Sequence, residues 1–257
     1  MRNFKMILQY EGTRYQGWQK QESTDNTIQG RLEQLLSKMT GVKTEIQGSG
    51  RTDAGVHALG QVANFHADTD MSCAEILKYM NQYLPEDIGV ISVEEVPERF
   101  HSRLNAVGKT YVYRILNSDL PHVFDRRYVY PYPGKLDVEA MKKAAAYLIG
   151  KHDFKAFTST KKGKKSTVRT IESICIERNG DEICLTYQGD GFLYHMVRIL
   201  TGTLLEVGAG ERKPEDVKEI LESGLREKAG TLVPAKGLTL VSVRYKDRSF
   251  YENQGKW

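Results

Sequence analysis

Along the whole chain, apolar residues recur first at every second position and then at every third or fourth, and this switching of period is what most narrows the fold. Phe4, Met6, Leu8 and Tyr10 alternate with Lys5, Ile7 and Gln9, which predicts a half-buried strand. A Gly/Gln/Trp-rich loop follows over residues 11–26. A helix is then predicted from Thr27, with Ile28, Leu32, Leu35, Leu36 and Met39 at helical spacing and Gly41 as its stop. Residues 45–47 and 62–65 read as strands. Ser72 and Glu75 offer a capping box for a helix carrying Ile76, Leu77, Met80 and Leu84, which Pro85 ends, and 88–93 is again strand-like.

The second half repeats this grammar. Residues 109–116 form a predicted strand with Tyr111, Tyr113 and Ile115 on one face, and a helix runs from the N-cap Asp137 to residue 149. Strands over 167–177 and 182–187 are joined at Asn179-Gly180. A strongly periodic helix covers 192–207, with Leu193, Met196, Val197, Leu200, Leu204 and Val207 inward. A short helix over 214–222 and a strand over 238–245 close the chain. This alternation implies two pseudo-related α/β units that share or abut a sheet, here divided into residues 1–105 and 106–257. No Pro/Gly/Ser linker marks the split.

Composition narrows the partners. Lys+Arg 37 against Asp+Glu 33 leaves a net charge of only +4, which excludes a histone-like polycation but permits a local basic groove. No apolar run approaches the ~20 residues that span a bilayer. The first residues turn polar within ten positions and lack a small-residue cleavage site, so no signal peptide is expected. Cys73, Cys175 and Cys184 are scattered without a CxxC pair, which points to a reducing compartment and a cytoplasmic protein.

The segment richest in chemistry is Gly48-Ser49-Gly50-Arg51-Thr52-Asp53-Ala54-Gly55-Val56-His57-Ala58. Its glycines let the chain turn sharply or admit a ligand to the backbone. Asp53, on a Gly-flanked loop after a strand, is placed either as a nucleophile or general base or as an Asx-turn residue. Arg51 and Arg198 are the candidate charge partners. Arg198 sits at the edge of the long helix's apolar stripe, where an Arg either snorkels or pairs with a carboxylate. Tyr111 is either packed core or a platform for an unpaired base.

Arg14, Lys20, Arg103 and the cluster Lys161, Lys162, Lys164 and Lys165 interleave with aromatic and small polar residues as a candidate phosphate track. The six His show no HxH or HExxH spacing, so no metal site is expected, and neither GxSxG nor GxxxxGK[ST] is present. On these residues alone the chain reads as a soluble α/β enzyme or an RNA binder with a site near Asp53, and two versions of that stay open. One is a catalytically silent RNA binder; the other is a small-molecule or phosphate-ester enzyme using Asp53 with His57.

Gly50-Arg51-Thr52-Asp53-Ala54-Gly55-Val56-His57-Ala58 resembles the signature of the tRNA pseudouridine synthase A (TruA) family. Further similar stretches follow collinearly: Tyr10-Glu11-Gly12-Thr13 with Gly17-Trp18-Gln19, Thr27-Ile28-Gln29, Phe100-His101, Lys109 to Tyr113, His152-Asp153-Phe154, Gly191 to Arg198, and Ala235-Lys236-Gly237-Leu238. Two positions depart from the pattern: Glu11, where Asp is more usual, and Val233, where Ala is common.

The resemblance implies an α+β fold of two related halves around a mixed, largely antiparallel sheet with a central cleft. It also implies isomerisation of uridines 38, 39 and 40 in the anticodon stem-loop of tRNA by a homodimer without cofactor or metal. Asp53 would then match the aspartate that attacks the target uridine, and Tyr111 the tyrosine that packs on its base. Arg198 would match the basic partner of that aspartate, and Arg51 an arginine linked to extruding the nucleotide.

Overall fold

A computed structural model describes residues 1–160 and 166–246. Lys161, Lys162, Lys164 and Lys165 lie outside the described residues. In chain order the elements are β1 (Arg2–Tyr10), α1 (Ile28–Thr40), β2 (Ile46–Gly48), β3 (His57–Ala67), α2 (Cys73–Tyr83) and β4 (Ile88–Val96). There follow β5 (Ala106–Leu116), β6 (Tyr130–Pro131), α3 (Val138–Ala146), β7 (Gly150–Asp153), β8 (Val168–Asn179) and β9 (Glu182–Gly189). The chain continues with α4 (Met196–Gly208), α5 (Asp216–Ser223) and β10 (Leu238–Tyr245). Two compact units emerge, one of residues 1–107 with those from Leu240 onward, the other of Gly108–Thr239.

In the first unit the strands order as β4-β1-β3-β10, with β2 on β3. β1 pairs antiparallel with both β3 and β4. Its predicted alternation holds, since Phe4, Met6, Leu8 and Tyr10 are all buried. α1 and α2 begin where their caps predict. The Thr27 side chain accepts from Gly30 N–H, Gly41 ends α1 in the left-handed region (φ 73°), and Ser72 and Glu75 form a complete capping box.

The sequence reading placed residues 106–257 in one half, whereas β10 from Leu240 onward belongs with the first unit. The cause is packing. β10 bonds along β3, the Val241 carbonyl is where a Cβ on Gly60 would fall, and the Tyr245 hydroxyl donates to the Ser102 carbonyl at 2.7 Å.

In the second unit β5, β9, β8 and β7 are neighbours in that order, antiparallel along β5-β9 and β9-β8, with the short β6 parallel to β5. Tyr113 and Ile115 are fully buried on the predicted face of β5. The β8-β9 hairpin turns on Gly180-Asp181 rather than Asn179-Gly180: Asn179 pairs with Glu182, and only Gly180 takes a positive φ. That is the pattern of a type II′ turn.

α4 starts at Met196, four residues later than its periodicity predicts, because His195 is left-handed (φ 64°) and cannot sit inside a right-handed helix. α3 stops at Ala146 rather than 149, where Leu148 N–H tightens onto the Ala145 carbonyl before the positive-φ Gly150.

Candidate active site

The Asp53 loop joins β2 to β3 and is pinned at both ends. Gly48 pairs with Ala63 across the ladder, and Ser49 N–H donates to the Val62 carbonyl at 2.7 Å. Within it, Val56 N–H donates to the Asp53 carbonyl, closing a tight turn whose third residue, Gly55, has φ 79°. Only glycine takes that position cheaply. Asp53 therefore opens the turn, and its own carbonyl accepts the bond that closes it.

The loop of residues 11–26 braces this turn from the other side. Trp18 N–H donates to the Thr52 carbonyl at 3.0 Å, and Gly12 N–H donates to His57 Nδ1 at 3.0 Å. A Cβ on Gly12 would fall 2.0 Å from the Val56 carbonyl oxygen, and one on Gly48 would fall 2.5 Å from the Trp18 indole. Both glycines are thus demanded by close approach rather than by φ. The bracing loop is itself held by the N-terminus of α1, whose otherwise unpartnered Ile28 and Gln29 N–H groups donate to the Gly17 and Trp18 carbonyls.

A buried polar chain runs beneath the turn. Ser49 Oγ donates to Gln61 Oε1 at 2.6 Å, Gln61 Nε2 reaches the Gly50 carbonyl, and the Tyr10 hydroxyl meets Thr52 Oγ1 at 2.8 Å. Burial pushes the Tyr10 phenol up to about 12, against the opposing pull of its Thr52 and Gln61 hydrogen bonds. His57 is buried as well. Its Nδ1 accepts from Gly12 N–H, and Glu11 Oε1 lies 3.8 Å from the same nitrogen. His57 Nδ1 is thereby committed to holding the loop.

Two basic residues flagged in the sequence meet beside this loop. Arg51 and Arg103 line one pocket of about 160 Å³ with Gln19, Gln47 and His101. The segment bearing His101 and Arg103 is anchored by buried amides. Asn64 Oδ1 accepts from both Ser102 N–H (2.9 Å) and Ser102 Oγ (2.8 Å), and Asn3 Nδ2 donates to the Phe100 carbonyl at 2.9 Å. The pocket glutamines and this amide cluster escaped the sequence reading. The signal for the amide cluster is Asn64, which with Gln61 is a polar side chain fully buried within β3.

The other two described cations of the candidate phosphate track are both ion-paired. Arg14 is ion-paired with Asp87 at 2.6 Å, and Lys20 with the buried Glu33 at 3.2 Å, so each reaches a phosphate only with part of its charge already matched.

Tyr111 and Arg198 belong to the second unit. Tyr111 lies opposite Tyr187 on β9 and meets the edge of Phe192 at 5.3 Å between ring centroids. Because the chain turns at His195 before α4 begins, Phe192 is free of the helix and packs on Tyr111, which helical spacing did not foresee. Arg198 does not snorkel outward. Its Nε donates to the Val233 carbonyl at 2.8 Å, next to the Pro234 carbonyl that accepts from the Tyr113 hydroxyl at 2.7 Å.

Burial raises the Tyr113 phenol far above its usual range, Tyr130 adds to the rise, and the Arg198 charge opposes it. The Val233 and Pro234 carbonyls are fixed because α4 touches their segment closely. A Cβ on Gly202 would lie 1.9 Å from the Thr231 carbonyl oxygen, and Gly230 N–H donates to Thr203 Oγ1 at 2.9 Å.

A family model described as tRNA pseudouridine synthase matches residues 6–105 and 144–246, so it takes in the Asp53 loop and α4. The chain belongs to the tRNA pseudouridine synthase family. Among its relatives, the tRNA pseudouridine synthase A of Bacillus sp. (strain KSM-64) is 51% identical over 245 residues, covering 95% of this chain and 100% of the relative. Proteins of Clostridium perfringens and Clostridium tetani, named tRNA pseudouridine synthase A 2 and A 1, are 49% and 50% identical over the same shares. A chain in the crystal structure of a Cbf5–Nop10–Gar1 complex aligns over 88% of this chain and 52% of its own at 13% identity, with a TM-score of 0.37, too distant to bear on the site.

As a member of this family of isomerases the chain is a tRNA pseudouridine synthase with an α+β fold, and among the described residues no helix is long and apolar enough to cross a membrane.

Proposed function

We propose that this synthase acts in the cytoplasm as a homodimer on uridines 38, 39 and 40 of the tRNA anticodon stem-loop, with Asp53 as its catalytic residue. The observation that carries the reading is the Asp53 turn, against which Gly12 and Gly17 pack so closely that a Cβ on either would fall within 3 Å of the Val56 or Thr52 carbonyl oxygen, and which lies inside the stretch that the family model matches. A loop braced this tightly holds a carboxylate-bearing residue in one place, which is what positional catalysis needs.

The chemistry is an internal transfer. The ribose C1′–N1 bond breaks, the uracil turns, and a C1′–C5 bond forms while the C5 hydrogen leaves as a proton and N1 gains one. Asp53 serves by adding to the uracil ring, by attacking C1′, or by taking a ribose proton to give a glycal; all three require the carboxylate ion. A stem uridine must first leave its stack at a cost of a few kcal/mol. Tyr111 offsets part of that by packing on the base, typically ~1–3 kcal/mol. Arg51 assists extrusion, and Arg198 takes the family's role of the cation paired with the aspartate. Arg14, Lys20, Arg103 and Lys161, Lys162, Lys164 and Lys165 contact the backbone phosphates.

The test is tritium release from a tRNA transcript labelled at uridine C5, without added metal or nucleotide. Wild-type protein should release tritium, and Asp53→Asn should bind tRNA but release none. Comparable release by the variant would sink the assignment, and binding without release by the wild type would favour a silent RNA binder.

A further inference from the structure

A second basic groove lies in the first unit, between α1 and the C-terminal end of α2. It encloses about 550 Å³, within the range of ligand-binding clefts. Arg31, Gln34, Leu35 and Lys38 face it from α1, one helical stripe at the spacing i, i+3, i+4, i+7. Gln29 and Glu33, on the opposite edge of the same helix, bond instead to the Ile46 main chain beside the Asp53 loop. The groove is therefore a separate face of α1.

Its charge is unbalanced. Three cations line it, Arg14, Arg31 and Lys38, and no carboxylate does. Arg14 is matched by Asp87, but among the described residues Arg31 reaches only the Asn26 side-chain oxygen at 3.5 Å, a neutral partner, and the exposed Lys38 has no carboxylate in ion-pair range. On α1 the two are about 10 Å apart along the axis. At one wall stands Tyr83, 58% exposed, its ring 4.8 Å from that of Tyr79. The weak negative pole at the end of α2 opposes an anion here, but its reach is one helical turn.

We propose that this groove binds a second segment of the tRNA, away from the target uridine, with Arg31 and Lys38 on successive phosphates and Tyr83 stacking an unpaired base. Unmatched cations beside an exposed aromatic are the chemistry that holds single-stranded RNA. The inference rests on the tRNA substrate reading but is tested by binding, so the two can fail separately.

The experiment measures the Kd of the full-length protein for an unmodified tRNA transcript across 50–300 mM salt, for wild type, Arg31→Gln/Lys38→Gln and Tyr83→Ala. Glutamine keeps helix propensity at both exposed sites, so the fold survives. The double variant should weaken binding roughly 10-fold at low salt and flatten the log–log salt slope by about two. Tyr83→Ala should weaken it at every salt concentration with the slope unchanged. Lys38→Arg should bind as wild type. Wild-type Kd and slope in the double variant would overturn the proposal and leave an acidic protein segment as the groove's occupant. Active wild-type enzyme with that result refutes the groove alone, whereas an inactive wild type refutes the function.

Discussion

Replacing Gly12 by alanine tests whether the bracing loop truly sets the position of Asp53. Gly12 has ordinary φ, so nothing but contact forbids a side chain there. The added Cβ would fall 2.0 Å from the Val56 carbonyl oxygen where ordinary contact begins at 3.4 Å, so the main chain must give by about 1.4 Å. Neither side yields easily. Val56 closes the Asp53 turn, and Gly12 N–H is the donor to His57 Nδ1.

Overpacking of this kind costs about 1–3 kcal/mol, and stranding a buried hydrogen-bond partner about 1–3 more. At about 2–4 °C per kcal/mol, the expected drop in Tm is roughly 4–24 °C. Activity should suffer more than stability, because a displacement near 1 Å at a catalytic group costs on the order of 100-fold. The assay is single-turnover tritium release from C5-labelled tRNA beside a thermal melt, with tRNA affinity measured separately. We expect kcat to fall about 100-fold while Kd changes little. A Gly12→Ala protein that melts and turns over like wild type would refute the claim that this contact positions the loop.

Four further outcomes are expected. Tyr10 keeps its proton to about 12 when folded and loses it near 10 when unfolded, so the unfolded chain holds fewer protons between those values and stability must fall as pH rises through that window, by about 2–3 kcal/mol from this residue; urea midpoints that stay flat from pH 10 to 12 would contradict it. Arg198→Lys keeps the charge but not the Nε–H donor to Val233, and kcat should fall about 10-fold with KM unchanged, the worth of one hydrogen bond. Gly202→Ala drives a Cβ to within 1.9 Å of the Thr231 oxygen and should lower Tm by several degrees; a calorimetric scan reads it directly. Charge reversal across Lys161, Lys162, Lys164 and Lys165 should weaken tRNA binding chiefly at low salt.

Periodicity and local chemistry were enough for the elements whose ends are set by their own residues. Thr27, Ser72 with Glu75, and Asp137 cap helices at the positions their side chains predict, because a cap is a bond between neighbours in sequence. The alternation in β1 and β5 correctly placed the faces that became core. The motif around Asp53 was likewise legible, since its residue types and order carry the family signature.

What the sequence left open depended on atoms brought together from far along the chain. The left-handed His195 delays α4 and gives Phe192 to Tyr111, and no spacing rule encodes a single backbone dihedral. β10 joins the first unit because its edge pairs with β3, nearly two hundred residues away in sequence. Gly12 and Gly48 look like generic loop glycines until the Val56 carbonyl and the Trp18 ring occupy the space a methyl group would need. Arg198 read as either a snorkelling residue or an ion-pair partner until Val233 supplied its acceptor. The sequence by itself determined the elements, the caps and the chemistry-bearing motif, because those are local. Only the tertiary structure decided which carbonyl meets which donor, because packing is a property of surfaces that the chain order does not place side by side.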